Sequence, residues 1–188
     1  MEKIRTSITL SNGTAVVIKP LLSKEDLRGL TGFREAISEE NQYNFAPHNY
    51  SEETIRAYIE RNKEGKDLIY LAWADGKVIA YFFLWEFDEP VPVLGIGVQD
   101  DYQGLGLGRK LMAVLLEDAA KAGKEGIALT VRPENKRAVH LYTSMGFYHS
   151  RDVENVIEGG KVEVFPELFL PLKEGAQPVI RKHAPPVL

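Results

Sequence analysis

The 188-residue chain has an ordinary globular composition, with 44% hydrophobic and 27% charged residues, and its length favours one domain with a sizeable core. It contains no cysteine, which excludes disulfides, thiolate metal sites and a cysteine nucleophile. The formal net charge of −4 argues against nucleic-acid binding, and no apolar run approaches the roughly 20 residues that span a bilayer.

The first half of the chain predicts a strand, two helices and a hairpin, in that order. Residues 14–18 are typical of a strand that ends before Pro20. Ser23 and Ser51 are each followed by acidic residues, which is the pattern of a helix N-cap with a favourably charged first turn. The Asp-Gly-Lys turn at residues 75–77 separates two apolar runs and indicates a β-hairpin.

Strands and helices alternate in the second half. The apolar patterns predict strands and helices at residues 91–98 (strand), 106–122 (helix), 127–131 (strand), 135 onward (helix), 147–150 (strand) and 162–170 (strand). We expect a turn at Gly159-Gly160 between the last two strands. We also expect a single domain over residues 1–172 and a poorly ordered, proline-containing extension over residues 173–188.

A glycine-rich run joins one of these strands to the helix after it, with the sequence QGLGLGR at residues 103–109. Glycines let backbone N–H groups approach an anion closely, and a helix N-terminus attracts negative charge. The spacing excludes a P-loop, and it excludes the dinucleotide fingerprint because position 109 is arginine. The run therefore predicts a phosphate site of another class, with a purely structural turn as the alternative.

A second motif lies further along the chain. Pro133 prevents a central strand from continuing, Asn135 is a favourable N-cap, and Gly146 suits the left-handed residue that ends a helix. Asn135 and Tyr142 are seven residues apart, about two helical turns, so they share one helix face. The segment thus predicts a short helix that presents an amide and a phenol on the same side.

Together the two motifs resemble the GNAT superfamily of acyl-CoA-dependent N-acyltransferases. Gln103-x-x-Gly106-x-Gly108 resembles the pyrophosphate-binding signature Gln/Arg-x-x-Gly-x-Gly/Ala of that family. The order of Asn135 and Tyr142 in the next helix resembles its second cofactor-binding segment. Two motifs in the expected order are more specific than either alone.

The resemblance covers residues 65–150 and implies the α/β GNAT fold, a mixed, mostly antiparallel sheet of about seven strands with about four flanking helices. The fourth and fifth strands, here residues 91–98 and 127–131, would splay apart to admit acyl-CoA. Residues 16–20, 25–26, 33–45 and 98–103 add a faint resemblance to the subgroup that acetylates protein lysines. Residues 1–172 would then form an N-acetyltransferase domain.

The resemblance also implies acetyl-CoA as co-substrate and a primary amine as acceptor, either a small molecule or a protein N-terminus or lysine. The Val98 N–H would bind the thioester carbonyl, Asn135 would contact the pantetheine arm, and Tyr142 would act as general acid toward the thiolate. The residues expected to bind the cofactor are Ile96, Gly97, Val98, Gln103, Gly104, Leu105, Gly106, Leu107, Gly108, Arg109, Asn135 and Tyr142.

The general base is not evident from the sequence. Many GNAT enzymes carry a glutamate in the fourth strand, but residues 91–98 contain no carboxylate. Glu86 is the nearest substitute, so the expected catalytic residues are Tyr142 and Glu86, with a solvated turn residue as the alternative for Glu86. The missing carboxylate also leaves a second function open, a catalytically degenerate acyl-CoA-binding sensor or interaction module.

Other signals are weaker. The four histidines show no paired metal-ligand spacing, so we expect no metal site. We expect a cytoplasmic protein that binds neither nucleic acid nor membrane. The resemblance leaves a homodimer open, because dimers are common in the family, although no residue pattern indicates an interface.

Overall fold

The computed structural model describes residues 4–156 and 160–181. Within these ranges the chain forms eight strands, five α-helices and one short 3-10 turn. Their bounds in chain order are β1 Thr6–Thr9, β2 Ala15–Pro20, α1 Lys24–Ala36, α2 Glu39–Asn44, α3 Glu52–Lys63, β3 Leu68–Ala74, β4 Lys77–Trp85, β5 Val93–Val98, the 3-10 turn Asp100–Tyr102, α4 Leu107–Lys121, β6 Gly126–Thr130, α5 Lys136–Ser144, β7 Tyr148–Val156 and β8 Val162–Pro171.

The strands form one mixed sheet in the order β1-β2-β3-β4-β5-β6-β8-β7. Every neighbouring pair is antiparallel except β5 and β6, which are parallel and pair at Val93 and Ala128. Beyond that point the two strands separate towards their carboxyl ends. The predicted splay between residues 91–98 and 127–131 is therefore confirmed, and these strands are β5 and β6.

Helices cover both faces of the sheet. Alternate residues of β4 face opposite sides, so Phe82 packs with α4 and α5, whereas Tyr81 and Phe83 pack with α1 and α3. Ser23 caps α1 in a capping box with Asp26, as its sequence predicts. The hairpin between β3 and β4 is also confirmed.

The structure differs from the sequence predictions in four places. Strand β1 and helix α2 were not predicted, because each is short and mostly polar. The strand predicted at residues 147–150 continues to Val156, since β8 supplies a partner along its whole length. The strand predicted to end before Pro20 extends to it, and Pro20 is the last residue of β2, where it pairs with Tyr70. The predicted turn at Gly159-Gly160 lies partly outside the described residues.

Residues 173–181, the described part of the predicted extension, contact the domain. Arg151 donates to the carbonyl oxygen of Val179 at 2.6 Å. Arg181 donates to Glu86 at 2.8 Å and also to the carbonyl oxygen of Val91. Among the described helices, none has the length and apolar character needed to cross a membrane.

His48 lies in an aromatic cluster between α2 and α3. The ring centroids of Tyr50, Tyr58 and Tyr81 lie 4.3, 4.9 and 5.7 Å from that of His48. The His48 Nδ1 accepts a hydrogen bond from the Tyr50 N–H at 3.0 Å, so the neutral ring carries its proton on Nε2, 3.2 Å from the Tyr81 hydroxyl oxygen. Burial lowers the pKa of His48 to about 3.

This pKa predicts acid sensitivity. Between the ordinary pKa of 6.5 and the folded value of about 3, the unfolded chain binds a proton that the folded chain excludes. The contribution of His48 to stability is therefore complete above pH 6.5 and falls as the pH decreases, by about 1–2 kcal/mol at about pH 5. Urea unfolding of the parent and of His48→Gln, at about pH 5 and at a pH above 6.5, measures this loss of stability. An equal pH dependence in the two proteins would contradict the prediction.

Candidate functional site

The glycine-rich run forms a tight loop between β5 and α4. Gly104 and Gly106 have φ angles of 76° and 79°, in the left-handed region that disfavours side chains. Gly106 is the N-cap of α4 and has no side chain, so no N-cap side chain accepts a hydrogen bond from the first N–H groups of that helix. A Cβ atom at either glycine would meet nothing within 4 Å. The loop thus presents open space beside a helix N-terminus, as an anion site requires.

The loop forms one wall of a cavity of about 820 Å³ that runs through the gap between β5 and β6. Of the residues predicted to bind a cofactor, all but Leu105 line this cavity. Leu105 instead packs against the apolar core beneath the loop. Gln103 lines the cavity and also donates to the carbonyl oxygen of Val98 at 3.0 Å, which holds the loop against the end of β5.

Helix α5 forms the adjoining wall. The Asn135 Oδ1 accepts the Ala138 N–H at 3.1 Å and so caps the helix. No described residue accepts a hydrogen bond from the Asn135 side-chain amide, which leaves its N–H groups available to a ligand. Tyr142, two turns further along, is 7% exposed and lines the same cavity. Burial raises its pKa to about 12, so the phenol is protonated at neutral pH.

Strand β5 contains no carboxylate and has glycine at positions 95 and 97. A Cβ at Gly95 would overlap the ring of Phe83, and a Cβ at Gly97 would overlap the ring of Phe45. Aromatic rings therefore occupy the space that longer side chains would need on this face of β5. The packing of these rings thus leaves no space for a glutamate side chain at position 95 or 97.

Glu86 lies away from this cavity. Because β4 and β5 are antiparallel, with Trp85 beside Val93, Glu86 follows β4 at the end where β5 is still paired with β6. It does not line the cavity, and its carboxylate accepts the hydrogen bond from Arg181. The structure thus brings Tyr142 into the cavity but does not bring Glu86 to it.

The wall opposite the loop was not predicted. It consists of residues from α1 and α2, namely Phe33, Ile37, Glu40, Asn41, Asn44 and Phe45. Glu40 is the cavity-lining carboxylate of this wall. The α4 and α5 side carries more cations than anions, with Arg109, Lys136 and Arg137 lining the cavity beside Glu134. A local sequence signal for this wall is Ser38, whose hydroxyl caps α2 through the Asn41 N–H.

No group of three or more potential ligands arranged to hold a metal ion occurs within residues 4–156 and 160–181. The cavity therefore offers a loop of backbone N–H groups, surrounding cations, an amide and a protonated phenol. Such a set can hold a phosphorylated ligand and supply a proton to its reacting end.

Comparison with known protein families agrees with this geometry. Residues 31–147 match the model of the acetyltransferase (GNAT) family. The chain belongs to the GNAT acetyltransferase family. The matched region begins within α1 and ends just after α5, so it includes both walls of the cavity.

Curated relatives match parts of the chain. The ribosomal protein bS18-alanine N-acetyltransferase of Escherichia coli K12 is 32% identical over 98 residues, which is 52% of this chain and 64% of that enzyme. The mycothiol acetyltransferase of Thermomonospora curvata is 35% identical over 80 residues, 42% of this chain and 27% of that protein. The chain thus spans less than two thirds of the length of either relative.

Solved structures of GNAT proteins share the fold. The GNAT domain of S. lividans PAT superposes with a TM-score of 0.72 at 20% identity, covering 89% of this chain and 96% of that domain. The yncA protein of Salmonella typhimurium, solved with its cofactor acetyl-CoA, superposes with a TM-score of 0.65 at 19% identity, covering 87% and 98%. The predicted GNAT fold is confirmed, with eight described strands rather than about seven and five helices rather than about four.

The two roles of the Asn135 side chain can be separated by substitution. Asn135→Asp keeps an oxygen for the Ala138 N–H but removes the amide donor, so we expect an unchanged melting temperature and CoA binding weakened about ten-fold. Isothermal titration with CoA and thermal unfolding measure the two effects. Asn135→Ala removes the cap as well and should lower both. Unchanged CoA affinity in Asn135→Asp would contradict a ligand role for the amide.

Proposed function

We propose that this protein transfers the acetyl group of acetyl-CoA to a primary amine. One observation carries the proposal: the glycine loop, Val98, Asn135 and Tyr142 line a single cavity in the opening between β5 and β6. The pyrophosphate would bind at the N-terminus of α4, and the pantetheine arm would follow β5 past the amide of Asn135. The names of the curated relatives, which describe acetyltransferases, support the same class of reaction.

The reaction would proceed by direct attack. The nitrogen of the neutral amine forms a bond to the thioester carbonyl carbon, and the carbon–sulfur bond then breaks. The Val98 N–H would stabilise the oxyanion that develops on the carbonyl oxygen. Tyr142 would give its proton to the departing thiolate and recover one from solvent, while the amine loses its own proton to water. A phenol kept protonated by burial is suited to this role.

The acceptor would enter from the α2 wall. Glu40 provides a carboxylate on that side of the cavity that, unlike the Asp100 carboxylate, is not bonded to Ser38. Asn41 and Asn44 add hydrogen-bonding amides. A negative charge there attracts the ammonium form of an amine. Because Glu86 lies outside the cavity lining, we assign it no part in proton removal. Losing the proton at pH 7 costs roughly 4.6 kcal/mol for a lysine-like amine but only about 1 kcal/mol for an α-amine, so we propose an α-amine as the better acceptor.

One observation favours the second function, an acyl-CoA-binding module without turnover. Phe45 and Phe83 occupy the face of β5 where a base would stand. Thiol release from acetyl-CoA, measured with a panel of α-amines, ε-amines and amino-terminal peptides, separates the two functions. Turnover on any amine supports the enzyme, and tight CoA binding without turnover on all of them supports the binding module.

Substitution of Tyr142 tests the general acid. Tyr142→Phe keeps the buried ring, so we expect kcat to fall about 10- to 100-fold with the KM for acetyl-CoA within about two-fold of the parent. Because the pKa of Tyr142 is about 12, the parent should show no loss of kcat from this group as the pH rises to about 11. Tyr148→Phe, on an exposed side chain, is the control. An unchanged kcat in Tyr142→Phe would remove it from the mechanism.

Substitution of Glu40 tests the acceptor wall. Glu40→Gln keeps the shape of the side chain but removes its charge, so we expect the KM for cationic amines to rise about three- to ten-fold while the KM for acetyl-CoA is unchanged. Glu39→Gln is a matched control, because Glu39 is exposed beside it and does not line the cavity. The same rise in both variants would indicate a general effect of surface charge instead.

A further inference from the structure

Helix α2 is attached to the carboxyl ends of both strands that border the gap. On the β5 side, the Ser38 N–H and hydroxyl donate to the Asp100 carboxylate at 2.9 and 2.6 Å. Asp100 begins the 3-10 turn that follows β5. On the same side, the ring of Phe45 packs over Gly97. Residues 38–45, which we call the α2 bridge, are therefore fixed to β5 at both of their ends.

On the β6 side, the α2 bridge is held by Arg132. The Arg132 Nε donates to the carbonyl oxygen of Tyr43 at 3.0 Å, and Nη1 donates to the Tyr43 hydroxyl at 3.0 Å and to Glu163 at 2.8 Å. The guanidinium carbon lies 3.9 Å from the ring centroid of Tyr43 and 4.5 Å from that of Phe165. The Arg132 side chain is only 11% exposed. It thus connects α2 with β8.

These attachments place the bridge across the opening. Parallel strands end at the same edge of a sheet, and β5 and β6 separate after Val93 and Ala128. Asp100 follows one strand and Arg132 follows the other, so an element bound to both must cross the space between them. A six-residue helix is about 9 Å long, which is enough to extend over a gap between strands that would otherwise lie about 4.8 Å apart.

Arg132 also connects the α2 bridge to the cavity wall that α5 forms, which we call the cofactor wall. Its carbonyl oxygen accepts the Asn135 N–H at 3.0 Å, which closes the turn that begins α5. The backbone of Arg132 thus determines where the α5 N-cap lies, while its side chain determines where Tyr43 lies. One residue thus contacts both the α2 bridge, which carries Glu40, and the turn that begins α5, the helix that carries Tyr142.

We propose that Arg132 is a positioning residue, which holds the α2 bridge over the reacting thioester so that water is excluded and the amine meets the acceptor wall. Only the part of this inference that concerns the amine rests on the proposed acetyl transfer. Exclusion of water from a bound thioester applies equally to an enzyme and to a binding module. Holding the wall in place would affect the reaction of the acceptor without any contact between Arg132 and substrate.

The test compares Arg132→Ala with the parent in the full chain, using CoA and acetyl-CoA as probes. We expect hydrogen exchange in residues 38–45 to become about ten-fold faster and the slow hydrolysis of bound acetyl-CoA without amine to rise about five-fold. The dissociation constant for CoA should stay within about two-fold. With an accepted amine present, kcat should fall while the KM for acetyl-CoA is unchanged. Tyr43→Ala, at an exposed side chain, should reproduce these effects.

Arg151→Ala is the matched control, because Arg151 also pairs with a glutamate of β8, Glu167, but is not bonded to α2. It should leave exchange in residues 38–45 and hydrolysis unchanged. Unchanged exchange and hydrolysis in Arg132→Ala would overturn the proposal, as would equal effects in Arg151→Ala. If the parent transfers acetyl to no amine, the proposed function fails, but the exchange and hydrolysis results still decide the role of Arg132.

Discussion

Between β5 and β6 the sheet is closed at one end and open at the other. Val93 and Ala128 pair, and after them the backbone groups of the two strands no longer reach each other. A buried peptide group without a partner costs about 1–3 kcal/mol, so an opening inside a sheet persists only if other groups compensate for it. Around the gap, the Gln103 side chain donates to the Val98 carbonyl oxygen, and the α2 bridge borders the cavity at the open end.

The face of β5 towards α2 shows how this chain differs from the expected pattern. Glycine at positions 95 and 97 lets the rings of Phe83 and Phe45 lie directly on the strand. An apolar surface of low polarisability there strengthens electrostatic interactions with charged groups at the cavity wall. A charged amine would be poorly solvated against these rings, which is consistent with an acceptor that gives up its proton readily.

Local signals in the sequence were sufficient for much of the fold and for the cofactor side of the cavity. The Ser23 cap, the glycines of the loop and the Asn135 N-cap act within a few residues of themselves, so their patterns can be interpreted without tertiary information. Helix α2 could not be found in this way, because its six residues are nearly all polar and are held by Asp100 and Arg132, which are distant in sequence. Glu86 was chosen for its nearness in the chain, but strand direction places it at the other end of β5.

The strand order has a consequence for synthesis on the ribosome. Strands β1 to β5 are each paired with the strand next to them in the chain, so they can assemble as soon as they emerge. Strand β6 pairs with β5 at Val93 and Ala128 but along its whole length with β8, and among the described strands β7 pairs with β8. The half of the molecule that carries Glu40 can therefore fold before the half that carries Asn135 and Tyr142. In a nascent chain α2 would first be held through Asp100, and it would gain the contacts that Arg132 makes with Glu163 and Phe165 only when residues 162–171 have been added.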